Sequence, residues 1–264
     1  GLETTRGTGV AADKRLYGTL TMTPEVSMHR PVDERNSLAE FSRSVVVGQM
    51  TRLRFEGDAT YEQLIDFLSM AVKGAISPSV VETTGRVWTF TPNTTSKNVQ
   101  DSYTFEYGDD VQAWDCAFTI CDNLELSFAL GEVLQIRADL FAKFAAKTTF
   151  TGAISEIAVN EIVANHCKVY IDTTWANLGT TEVATLVAGG TVRLPTGIRA
   201  AKYADGSLDF SAVSESKTHL ELELDMISST AFITQYDAYV AETDRAIRVE
   251  SVSYTHLRAH ETGR

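Results

Sequence analysis

Cysteine, proline, tryptophan and long apolar runs are all scarce in this 264-residue chain, and each shortage excludes something. The three cysteines, Cys116, Cys121 and Cys167, contain no Cys-x-x-Cys pair and no zinc-type spacing, which rules out a disulfide framework or a zinc fold. Cys116 and Cys121 stand five apart on a stretch that reads as strand, so they are expected on opposite faces, as small buried hydrophobes in a reducing compartment. Apolar runs such as Val45–Val47 are far too short for a membrane helix, and no secretory signal opens the sequence. The chain begins at Gly1 without a methionine, and its natural N-terminus is expected upstream. Basic residues are also short: 23 Lys and Arg against 35 Asp and Glu give a net charge of −12. That balance argues against gripping nucleic acid, which needs clustered positive charge, but suits a surface past which a phosphate backbone slides.

Catalytic motifs are missing as well. There is no Gly-x-Ser-x-Gly elbow, no Walker loop and no dinucleotide-binding glycine fingerprint. His166 and Cys167 are adjacent in a strand-like stretch, so their side chains should diverge. Tyr107-Gly-Asp-Asp110 matches the metal-binding turn of RNA-dependent polymerases, yet the chain is too short and acidic for that fold, and a solvated hairpin turn accounts for the four residues. Carboxylates are plentiful (Asp109, Asp110, Glu125, Glu221, Glu223, Asp225), but Trp88, Trp114 and Trp175 are too scattered to mark one sugar-binding cleft. No catalytic, cofactor-binding or metal-binding residue is assigned.

What the sequence does contain is a repeated strand–helix–strand unit. The first copy is Arg52–Tyr61, an amphipathic stretch to Lys73, then Arg86–Phe90. The second is His219–Leu224, an amphipathic stretch over Ser229–Ala241, then Arg245–Val249. Thr60 and Gln63 fit a capping box, and Leu64, Ile65, Phe67, Leu68, Ala71 and Val72 form a stripe expected to face a sheet, with Gly74 as the stop. Phe232, Ile233, Tyr236, Tyr239 and Val240 make the matching stripe of the second helix. Residues 123–128 and 132–140 read as a hairpin around Leu130-Gly131. Asp205-Gly206 has the composition of a two-residue type I′ turn. Leu220, Leu222 and Leu224 alternate with Glu221 and Glu223, giving one apolar and one acidic face.

The expected fold class is mainly β with flanking helices: two antiparallel β-sandwich or barrel modules, each with one side helix. Residues 1–43 read as an arm or loop with a short strand at Leu20–Met22, 44–150 as the first module and 151–250 as the second, lacking its closing strands. Residues 251–264 are expected to be a non-native tail. Val252–Thr262 resembles the translated sequencing-adapter peptide at the ends of metagenomic reading frames, which withdraws His256 and His260 from consideration.

Five segments taken together, Thr21–Val26, Ser44–Gly48, Phe55–Leu64, Val87–Pro92 and Asp101–Asp110, resemble the tail tube (major tail) proteins of long-tailed bacteriophages, and the resemblance spans residues from about 20 to 250. It implies a virion structural protein, made in the host bacterial cytoplasm, that joins edge to edge into rings stacked as a tube. DNA passes through the lumen without specific binding. Other tail proteins, such as tape measure and terminator, are the further partners, with no cofactor, no catalytic residue and no membrane. Hexameric rings are usual in that family; the apparent duplication here suits a trimer forming a pseudo-hexameric ring. Glu221 and Glu223 would line the lumen or the outside, since alternation establishes only that their side is wet. The alternatives are another tail or baseplate ring component, or a carbohydrate-binding or carbohydrate-active β-sandwich module.

Overall fold

In the computed structural model, residues 1–32, 43–81, 85–93, 95–154, 156–183 and 185–251 are described. The proposed adapter-like segment 252–264 lies outside them. In chain order the elements are β1 (Thr19–His29), β2 (Val45–Asp58), α1 (Tyr61–Ala71), β3 (Ser79–Val81), β4 (Gly85–Val87), β5 (Tyr103–Gly108), β6 (Ala113–Ala129) and β7 (Gln135–Ala142). They continue with β8 (Ala146–Thr148), β9 (Cys167–Asp172), β10 (Val187–Pro195), β11 (Ile198–Ala201), β12 (Ala212–Glu215), β13 (Glu221–Met226), α2 (Thr230–Val240) and β14 (Ala246–Ser251). The protein is mainly β, with antiparallel pairing throughout and two α-helices among the described residues.

One eight-stranded sheet organises the molecule. Its main path is β1-β2-β7-β6-β10-β13, with β5 and β8 flanking the start of β6. The expected hairpin at 123–140 is present as β6–β7, but β6 is a single 17-residue strand that begins well before the expected 123–128 stretch. It turns a corner at Phe118, whose φ of 59° breaks the two-residue alternation. That corner also corrects the expectation for the cysteines. Cys116 and Cys121, on either side of it, join the same apolar cluster. Burial pushes the Cys116 thiol up to about 12, so it is unreactive at neutral pH.

Alternation along the strands creates two unlike faces. Leu53 and Phe55 of β2, Leu124 of β6, and Ile136, Ala138 and Leu140 of β7 are buried on one side in the main core. α1 covers this side, its Phe67 ring lying 4.9 Å from Phe55. On the other side a smaller cluster forms at one end of the sheet, where Phe210 packs between Phe118 and Phe141. The 202–211 segment straps it down through Gln49 N–H to the Leu208 carbonyl (2.9 Å) and Phe144 N–H to the Asp209 carboxylate (3.0 Å). Asp205-Gly206 therefore does not form the expected two-residue turn. It belongs to a longer loop in which Asp205 accepts from Ser207 N–H, because burying Phe210 requires the extra chain.

Other expectations shift too. β1 extends through Pro24, which a strand tolerates at a sheet edge. Residues 1–18 are no free arm: they run along β5, with Glu3 N–H bonded to the Ser102 carbonyl (2.9 Å) and the Glu3 carboxylate buried. No break in the sheet falls near residue 150, since β10 and β13 join the first half through β6, and Ile162, Val169 and Ile171 share its core. Instead of two separate sandwiches, the halves share one sheet. The third strand of each repeat leaves that sheet: among the described residues β4 pairs only β3, and β14 pairs β9.

Candidate assembly surfaces

The outer face of the sheet carries a cross-strand row of six residues in register: Thr19 (β1), Glu56 (β2), Arg137 (β7), Glu125 (β6), Arg193 (β10) and Glu221 (β13). Arg193 Nε lies 2.9 Å from Glu125 and its NH1 3.6 Å from Glu223, while Arg137 lies 3.4 Å from Glu56. A parallel row pairs Arg54 with Asp139 at 2.7 Å. Such exposed pairs contribute only tenths of a kcal/mol each, but they dictate which charges neighbour which. Glu221 and Glu223 sit on this wet face as expected, with Leu222 and Leu224 turned half inward. The face is mixed, not purely acidic, because Arg193 reaches between Glu125 and Glu223.

Both ends of the main path are open. Among the described residues β1 pairs only β2, and β13 pairs only β10. The β1–β2 hairpin also projects beyond the sheet: β2 meets β7 only from Thr51 onward, while Val45–Met50 pair β1 on one side and meet the 202–211 segment at Gln49 on the other. A bulge between Ser27 and Met28 falls beside Gly48. Val26, Met28, Val45 and Val47 are exposed on this extension. Open edges and exposed apolar side chains are association surfaces unless something covers them.

The helices differ. Thr60 caps α1 through Gln63 N–H (3.2 Å), but the Gln63 side chain bonds the Tyr17 carbonyl, so only half of the expected capping box forms. The buried face of α1 is Gln63, Asp66, Phe67, Met70 and Ala71, rotated from the expected stripe, with Leu64 and Leu68 half-buried. In α2 the stripe is uncovered, and Ala238 is the buried residue.

The rotation of α1 places a polar group where the sequence gave little warning. Asp66 accepts from Lys14 (2.7 Å) and from the Tyr103 hydroxyl (3.2 Å), which also lies 3.1 Å from Ser69 Oγ. Beside it is a cavity of about 390 Å³ walled by Phe55, Phe67, Met70, Phe105 and Phe150. The spacing Gln63–Asp66–Ser69, polar at every third position, was the available signal. Burial raises the Asp66 carboxyl above its ordinary value of 3.8, partly offset by Lys14 and Tyr103. A carboxyl with a raised folded-state value makes folding less favourable as pH climbs from its unfolded to its folded value, and has no further effect above that. Asp66→Asn should remove this decline. Denaturant melts of both proteins between about pH 3.5 and 6.5 would show converging or crossing stabilities, and parallel profiles would refute the assignment.

The polymerase-like motif is a turn. Asp109 accepts from Val111 and Gln112 N–H at 2.9 and 3.0 Å between β5 and β6, and these bonds hold its carboxyl low. His166 ends a 3₁₀ turn, so the expectation that it and Cys167 are successive strand residues is corrected. Trp114 lies in β6 with Lys147 over its ring, and Trp175 is exposed in a separate 3₁₀ turn. A scan with protein-family models returns no match, and neither does a search of curated proteins.

Proposed function

We propose that this chain is a structural subunit of a phage tail tube, self-associating into rings that stack around a channel for DNA. The observation that carries this reading is a sheet open at both ends with an even number of alternating strands. The six-strand path is antiparallel at every step, so β1 and β13 run in opposite senses. β13 of one copy can therefore meet β1 of the next as another antiparallel pair, and repetition of that heterologous contact closes a ring. Closure of a sheet requires a stagger. It is available here because Thr19 lies level with Glu221, while the rest of β1 continues past the start of β13. Pro24 limits the joint to the Thr19–Thr23 stretch.

The wet face, with Glu221 and Glu223, is the surface such a ring would turn to its lumen or its exterior. A mixed row with acidic excess offers no basic track for phosphate to hold. The repeated strand–helix–strand unit is the ground for a trimer with two quasi-repeats per chain over a hexamer. The tape measure and terminator would meet the assembled tube. Negative-stain electron microscopy of the purified protein tests the reading, and ring-shaped particles with a central hole are expected.

A further inference from the structure

We propose that the cavity between α1 and the sheet is a binding site for a small neutral aromatic molecule carrying a hydrogen-bond donor, a phenol or an indole in chemical class. The site lies apart from the edges that would join copies, so it stands or falls independently of the ring reading.

The first argument is the wall. Separate stretches of chain meet there: Leu16 from the segment before β1, Phe55 from β2, Phe67 and Met70 from α1, Phe105 from β5 and Phe150 from the segment after β8. Phe55, Phe67, Met70 and Phe105 belong to the main core, yet they leave about 390 Å³ open beside them. Interiors otherwise pack at the density of organic crystals, and pockets for small molecules begin at about 300 Å³. The walls are mostly aromatic rings, which receive another flat ring edge-on or offset. They offer water few partners, so a bound apolar body gains by displacing it. Phe150 is 46 % exposed and marks the side on which the cavity meets solvent.

The second argument is polarity. The ionised groups within the cavity are already satisfied. Lys14 Nζ bonds Asp66 Oδ1 at 2.7 Å and lies equally 2.7 Å from Oδ2. Glu106 accepts from Thr151 N–H (2.8 Å) and Ala12 N–H (3.2 Å), and the Gly1 nitrogen donates to the Thr104 carbonyl (2.9 Å). Asp13 and Arg15, at the exposed rim, are opposite in sign. A charged ligand would therefore enter among apolar rings with no free counter-charge, which selects a neutral one. One acceptor remains open. Asp66 is 7 % exposed, and its Oδ2 is buried and accepts no hydrogen bond among the described residues, although Lys14 balances its charge. A ligand O–H or N–H would satisfy that oxygen. An analogue without the donor would cover it with an apolar group and leave it unpaired.

The test uses the full chain with isotopically labelled methionine methyl groups, read by nuclear magnetic resonance. The probe is 2-naphthol, and 2-methoxynaphthalene, with the same rings and no donor, is the comparison. Met70 is on the cavity wall, whereas Met28 is exposed on β1. The Met70 methyl signal, identified by its absence in the volume-conserving variant Met70→Leu, should shift saturably with one site per chain while that of Met28 stays in place. The methoxy compound should bind about tenfold more weakly or worse. Saturating 2-naphthol should also raise the melting temperature, because it binds the folded chain. A Met70 signal that does not move, or moves no more than that of Met28, would overturn the site and leave water as the occupant. Equal affinity for the two compounds would overturn Asp66 as the group that selects the ligand. Neither result bears on the ring reading, which electron microscopy tests separately.

Discussion

Phe55→Ala is expected to destabilise the monomer by about 3–5 kcal/mol, the range for emptying a fully packed aromatic site. Phe55 is 2 % exposed in the main core and packs its ring, tilted, against that of Phe67, the residue by which α1 grips the sheet. Its loss removes apolar contact on both sides at once. The existing cavity beside Phe67 and Met70 gives neighbouring side chains room to shift but no new partners. Domains of this size are typically stable by only about 5–15 kcal/mol, so the variant should sit near the threshold of folding. Urea melts monitored by circular dichroism would measure it. A loss below about 1 kcal/mol would mean that α1 is not held through this contact.

Glu3→Ala should cost about 3 kcal/mol, although Glu3 lies in a segment that reads as a loose arm. Its carboxylate accepts from Gly7 N–H, Ser102 Oγ and Phe118 N–H, each at 2.7 Å, and from Thr104 Oγ1 at 2.9 Å. Phe118 is the positive-φ corner of β6, so one side chain both ties the N-terminal segment to β5 and satisfies a donor at the bend. Alanine would leave that buried N–H unpaired, whereas Glu3→Gln retains an acceptor and should cost less. Melts of the two variants separate these outcomes. Equal stability of Glu3→Ala and the unmodified protein would show that the segment does behave as an arm.

Local chemistry announced several elements in advance. Leu222 and Leu224 alternating with Glu221 and Glu223 specify a half-buried strand, and Thr60 marks the start of α1. The β6–β7 hairpin follows from turn formers between two apolar-periodic runs. Features set by distant partners were hidden. Pro24 looked like the end of a strand because only its edge position makes it harmless. Cys116 and Cys121 were assigned by parity, which one positive φ at Phe118 resets. The stripe on α2 is plain in the sequence, but periodicity says which face is apolar and not whether anything covers it. Likewise the repeat was visible, while the pairing of β10 with β6, which fuses the halves, depends on a register no local pattern encodes. The candidate assembly surfaces were accordingly half visible: Glu221 and Glu223 were picked out, but of the opposite edge strand only Leu20–Met22 was read as strand, within a segment otherwise taken for an arm or loop.

The central claim is that this chain closes into a ring through the two ends of its sheet. Negative-stain electron microscopy at high protein concentration, with mass from light scattering, tests it most directly. The account predicts annular particles with a central hole and a mass that is a small multiple of the 28.9 kDa chain, three copies being the favoured count. A monodisperse monomer at every concentration, with β1 and β13 amides exchanging freely with solvent, would contradict it.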